Sequence, residues 1–214
     1  MKYRKVKSKS RYLLAFMIGT IIFIIGFAIS YSLSYAEYQR ISTLQGKVAY
    51  KIFEDKLKNS LFDGEICSDE SYRQVSEDLG FQGRIIDDLE RKFGKDDSRV
   101  LFRKKFYTVI LLEHFEFVNS RNEQCASYIN TILFFYSNQG PRVKESERVG
   151  GLLSSVHGRN ENLVIYSFDV DLDSDLIRSL KEKYVISGAP EIVINEDVKV
   201  ISPKHIDEVE KHLK

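Results

Sequence analysis

The chain has 214 residues, 43% hydrophobic and 29% charged, with a formal net charge of +1. That length holds one sizeable domain or two small ones, and the composition is that of a globular protein without low-complexity tracts or internal repeats. Six cations ahead of residue 12 more than account for the net charge. The bulk of the chain is therefore mildly acidic, which argues against nucleic acid as a partner.

Residues 1–11 read as a basic tail carrying Lys2, Arg4, Lys5, Lys7, Lys9 and Arg11. Leu13 to Tyr35 holds no charged residue, and about 20 apolar residues suffice for a helix to cross the hydrocarbon core. Tyr12, Tyr31 and Tyr35 fall near its ends, where aromatic rings favour the interface. Residues 12–36 are thus expected to be a transmembrane helix. The cations before the span and Glu37 after it predict a cytoplasmic N-terminus, a single pass through the cell membrane and an extracytoplasmic remainder. The alternative is a cleaved signal peptide, since Ser34-Tyr35-Ala36 offers small residues for cleavage, although the apolar run exceeds the usual 7–15 residues. Gly19 and Gly26, seven apart, are a weak signal for helix pairing in the membrane.

Residues 37–130 follow a helical pattern, either as an insert packed on the next domain or as a separate subdomain. Ile41, Leu44, Val48, Ile52 and the pair Phe53/Leu57 recur at three- and four-residue steps, and Asp63-Gly64 breaks the run. Ser68-Asp-Glu-Ser71 looks like the next start, with acidic residues in its first turn. Gly80 and Gly94 punctuate further, with Ile85, Ile86, Leu89 and Phe93 forming a stripe between them. Asp97 or Ser98 can cap a helix to about Val118, whose expected core face is Leu101, Phe102, Phe106, Val109, Ile110 and Phe117.

Cys67 and Cys125 are the only cysteines. Both stand near helix boundaries in a compartment that permits disulfides, so a structural bridge is expected, with two free thiols or a working redox pair as alternatives. Closing a loop of 57 intervening residues would contribute about 4 kcal/mol through the unfolded state.

From residue 131 the period changes. Thr131–Tyr136 reads as a buried strand, Val143–Val156 as a helix ended by His157-Gly158, with Gly158 a left-handed cap. Asn162–Phe168 is a second strand, and a helix from Leu176 to Tyr184 is capped by Asp173 or Ser174. Glu191–Asn195 and Val198–Ile201 make a hairpin about Glu196-Asp197. Ser202-Pro203 opens a final helix to Leu213. The order βαβαββα predicts an α/β fold with a four-stranded mixed sheet and helices on both faces.

This order, together with Lys183-Tyr-Val-Ile-Ser-Gly-Ala-Pro190-Glu-Ile-Val-Ile-Asn195, resembles a thioredoxin-like domain over residues 131–214. The resemblance implies a cis Ala189–Pro190 bond facing a redox loop of C-x-x-C form. Here that loop reads Gln139-Gly140-Pro141-Arg142, and no cysteine lies from residue 126 to 214. Thiol–disulfide exchange at this loop is therefore excluded, because its mechanism needs two sulfurs. The resemblance also implies that Gln139, Gly140, Pro141, Arg142, Ala189 and Pro190 form a surface that grips extended peptides; the alternative is a solvated turn without a local role.

Asp169-Val-Asp-Leu-Asp-Ser-Asp175 lacks the glycine and glutamate of an EF-hand and reads as a strand end before an acidic helix start, with Asp169 and Asp171 weak cation ligands at most. The scattered His114, His157, His205 and His212 form no metal motif, and no nucleotide or hydrolase motif occurs, so no metal or cofactor is expected. The expected function is a membrane-anchored, non-catalytic interaction or scaffold module for a protein or extended-peptide partner in the cell envelope. The alternative is an oxidoreductase working through Cys67 and Cys125.

Overall fold

The computed structural model describes residues 9–62, 67, 69–126 and 128–214. The chain divides into two compact units, Met1–Gly46 and Lys47–Lys214. Helix α1 spans Lys9–Phe62. Its segment Arg11–Ala36 is long and apolar enough to cross a membrane, and none of it is buried against other parts of the protein. Phe16 and Phe23 are each 73% exposed there, an arrangement that suits lipid and not water. The expected helix break at Asp63-Gly64, the start at Ser68 and the basic tail up to Ser8 lie outside the described residues.

In the second unit, α2 (Asp69–Phe93) and α3 (Ser98–Gln124) precede β1 (Asn130–Tyr136). Then follow α4 (Arg142–His157), β2 (Leu163–Asp169), α5 (Asp175–Lys183), β3 (Glu191–Ile194), β4 (Val198–Ile201) and α6 (Asp207–Glu210). The four strands form one mixed sheet in the order β2-β1-β3-β4. β1 runs parallel to β2, from Asn130↔Leu163 to Tyr136↔Asp169, and antiparallel to β3, which pairs antiparallel with β4.

The β1 sequence NTILFFY is apolar on both sides because helices cover both faces of the sheet. Leu133 and Phe135 pack with Tyr166, Phe168 and residues of α2, α3 and α5. Ile132 and Phe134 pack on the other side with Val149, Leu153 and Val156 of α4 and Val209 of α6.

Five local expectations are corrected. Gly80 does not interrupt α2, which continues to Phe93; one helical glycine costs only about 1 kcal/mol relative to alanine, and packing against α3 exceeds that. Gly94, at φ +91°, does end it. The α3 face is rotated from the apolar stripe: Ile110 is buried, but Phe102 and Val109 are exposed, while Arg103, Lys104, His114 and Arg121 are buried. The helix also runs past Val118 to Gln124, where Asn122 brackets the Ile129 backbone through both amide atoms. Gly158 sits at φ −65°, in the right-handed region, and its N–H donates to the Ser154 carbonyl. Finally, Ser202 does not cap a long terminal helix. It sits at φ +44°, its hydroxyl donates to Glu145, and regular helix is confined to Asp207–Glu210.

Candidate functional site

β1 ends at Tyr136 and the chain turns through Ser137, Asn138 and Gln139 into α4. Gly140 takes φ +59°, a conformation that glycine adopts at no steric cost, and Pro141 follows in helical geometry just before Arg142. Gln139, Gly140, Pro141 and Arg142 are all exposed. The Ala189–Pro190 peptide bond is cis. Phe135 pairs with Glu191 in the β1–β3 register, so Pro190 stands beside the end of β1. The sheet thus brings the 139–142 loop and Ala189–Pro190 to one end.

Side chains remote in sequence hold this end together. Asp171 takes the Ser137 hydroxyl at 2.6 Å and the Asn138 N–H at 2.9 Å through one carboxylate oxygen, and Arg142 approaches the other at 3.3 Å. The Ser146 hydroxyl of α4 accepts the Ser137 N–H at 3.0 Å. Asp169, almost fully buried, accepts from the Asn138 amide and pairs with Lys104. Lys104 also meets Glu90 of α2 at 2.8 Å and lies 5.6 Å from the centre of the Tyr136 ring. Burial works against the Lys104 ammonium, but Tyr136, Asp169 and Glu90 outweigh it and raise its pKa above the ordinary lysine value. Burial, in turn, raises the Tyr136 phenol pKa.

A second clamp holds the proline. One oxygen of the buried Glu191 carboxylate accepts from the Ser187 N–H, the Ser187 hydroxyl and the Gly188 N–H, and the other faces Lys199 at 3.7 Å. The Ser202 N–H donates to the Pro190 carbonyl at 3.1 Å. Ser202 also binds Glu145, so the first turn of α4 is tied to the proline strand. Arg148 first, and then the Ser202 hydroxyl, hold the Glu145 carboxyl pKa down to about 2. Among the described residues, nothing hydrogen-bonds to the Ala189 N–H or carbonyl.

Cys67 and Cys125 form a disulfide with Cα atoms 5.6 Å apart. Cys125 precedes β1, whereas the 139–142 loop follows it, so the disulfide and the loop are separated by the length of that strand. Sequence reasoning missed the clamps. Asp169 and Asp171 read as cation ligands at most, yet their oxygens hold Lys104, Ser137 and Asn138. The available signal was the alternation Asp169-Val-Asp171 at a strand end facing a loop of small polar residues. Among the described residues, no group of His, Cys, Asp and Glu is arranged to hold a metal ion.

A separate cleft of about 790 Å³ opens along β2, between α2 and α4. It touches Ser137 and Asn138 but none of Gln139–Arg142, Ala189 or Pro190. Comparison with protein-family models, with curated proteins and with solved structures gives no match for this chain.

Proposed function

We propose that the chain is a membrane-anchored interaction module with a thioredoxin-like domain whose loop has lost its redox chemistry. Its extracytoplasmic part would hold an extended segment of a protein partner in the cell envelope. The observation that carries this reading is the meeting of a cysteine-free loop and the Ala189–Pro190 segment at one end of the mixed sheet, where, among the described residues, nothing pairs with the backbone groups of Ala189. An extended chain laid there gains main-chain hydrogen bonds without any covalent step. The clamps from Asp171 and Glu191 support the same reading, because a preorganised backbone loses little entropy on binding.

The test is an NMR titration of full-length protein in nanodiscs with a reduced, carboxymethylated unfolded polypeptide. The amides of Ser187–Ala189 and Gln139–Val143 should shift together, and Asp171→Ala should weaken the effect by loosening the loop. No shift at either segment would refute the reading.

The oxidoreductase alternative has one observation in its favour, the Cys67–Cys125 bond itself. Equilibration with thiol buffers separates the two readings. A potential below about −300 mV marks a structural bridge, and one between about −230 and −120 mV lies in the range of thiol–disulfide catalysts.

A further inference from the structure

Among the described residues, β2 is an edge strand seven residues long with only β1 beside it. The Asn130 N–H donates to the Asn162 carbonyl, and the Val170 N–H donates to the Tyr136 carbonyl. In a parallel ladder alternate residues of a strand bond to the same neighbour. Val164, Tyr166 and Phe168 therefore turn their backbone groups to β1, while Leu163, Ile165 and Ser167 turn theirs outward. Among the described residues, nothing pairs with those outward groups. The opposite edge, β4, is only four residues long and carries Lys199, the kind of charge that guards an edge against pairing. β2 carries no lysine, and its one charge, Asp169 at its C-terminal end, is taken up by Lys104.

The free edge forms the floor of the cleft already described. α2 and α3 supply one wall with Tyr72, Ser76 and Tyr107, and α4 supplies the other with Gly150, Leu153 and Ser154. About 790 Å³ falls within the range of ligand-binding clefts, about 300–1,000 Å³. Glu77, Asp87, Glu147 and Glu161 line it with exposed carboxylates. Opposing them are Arg73 and Lys95, and Lys95 donates to the Asn138 side chain at 2.8 Å.

The geometry points to a second binding site, distinct from the Pro190 end: the β2 edge accepts an extended basic segment of a partner protein as a fifth strand, with its cations facing the acidic lining. Strand addition would satisfy the outward N–H and carbonyl groups of Leu163, Ile165 and Ser167 over about 13 Å of strand. Alternate side chains of the guest would enter the two walls. Charge complementarity selects a basic guest. It also disfavours a second copy of this chain, since pairing β2 with β2 would bring two acidic linings together.

The experiment is fluorescence anisotropy with full-length protein in nanodiscs and a labelled seven-residue peptide alternating lysine and valine. Binding should weaken steeply as salt rises, because the attraction is screened. Replacing the lysines by glutamate, or the valines by proline, should abolish it. Ser167→Pro removes one outward N–H at an edge position where proline is tolerated, and should weaken binding at least about tenfold. Because that variant could disturb the strand, Glu147→Lys/Glu161→Lys serves as a second one, changing only exposed side chains, with a similar loss expected. Equal affinity for the glutamate peptide, or full binding by both variants, overturns the proposal. So does a dimer that Ser167→Pro dissolves, which would assign the edge to a second copy. Amide shifts confined to Ser187–Ala189 would credit the Pro190 surface instead and refute this one.

Discussion

Acid should destabilise the second unit through His114. Its imidazole is wholly buried, with Nδ1 2.8 Å from the Tyr166 hydroxyl, Nε2 3.2 Å from the Ser76 hydroxyl, and the Tyr72 ring stacked 6.1 Å away. Burial holds its pKa down to about 3 from an ordinary 6.5. The unfolded chain therefore binds a proton that the folded one refuses. The resulting stability is fully present above pH 6.5 and is lost as pH falls from 6.5 toward 3. One pH unit inside that window costs about 1.4 kcal/mol, so going from pH 7 to pH 5 should remove about 2 kcal/mol. The assay is hydrogen exchange of the β1 and β2 amides in full-length protein in nanodiscs, corrected for intrinsic rates. The comparison is His114→Phe/Tyr166→Phe, which removes both partners of the buried hydrogen bond and leaves neither unpaired. Carboxylates elsewhere titrate equally in both proteins, so the difference in slope reports His114. Parallel slopes between pH 7 and pH 5 would refute the reasoning, because they would mean that the folded protein accommodates the imidazolium.

Three further outcomes follow from the same kind of argument. Lys104→Met leaves Glu90 and Asp169 buried without their cation and should cost about 3–5 kcal/mol in exchange-derived stability, whereas Lys104→Arg should cost much less. Cys67→Ser/Cys125→Ser should destabilise the second unit by about 4 kcal/mol, from the loop that the bridge closes, as measured by the same exchange protection. Gln82 is buried on α2 with neither amide atom hydrogen-bonded among the described residues. Gln82→Met should therefore stabilise the unit by about 1 kcal/mol, read as a rise in thermal midpoint.

Much of the fold is written in local pattern. The uncharged run from Leu13 to Tyr35 identifies a helix long and apolar enough to cross a membrane, because length and composition are local properties. Strand and helix periods located every element of the sheet to within a residue or two, since alternation and turn chemistry are local properties. Gly140-Pro141 marked its turn in the same way, whereas the 187–190 segment was legible only through the resemblance to thioredoxin-like domains. The α3 face was legible in neither way. Its apolar residues suggested one side, yet the buried side carries Lys104 and His114, because their partners Asp169 and Tyr166 lie 65 and 52 residues away. A charge is buried where an opposite charge meets it, and only the tertiary structure supplies that meeting. The same holds for Asp171, whose role under the Ser137–Asn138 turn depends on a contact 34 residues distant. The open edge of β2 belongs to this class too. Strand order makes β2 terminal, but α2 and α4 had to fold over both faces before that edge became the floor of an acidic cleft. The sequence by itself determined a helix long and apolar enough to cross a membrane, the element order and the absence of thiols from the 139–142 loop. The tertiary structure decided which charges are buried, which carboxylates brace the loop and which backbone groups remain free to bind, because each depends on residues brought together only by the packed sheet.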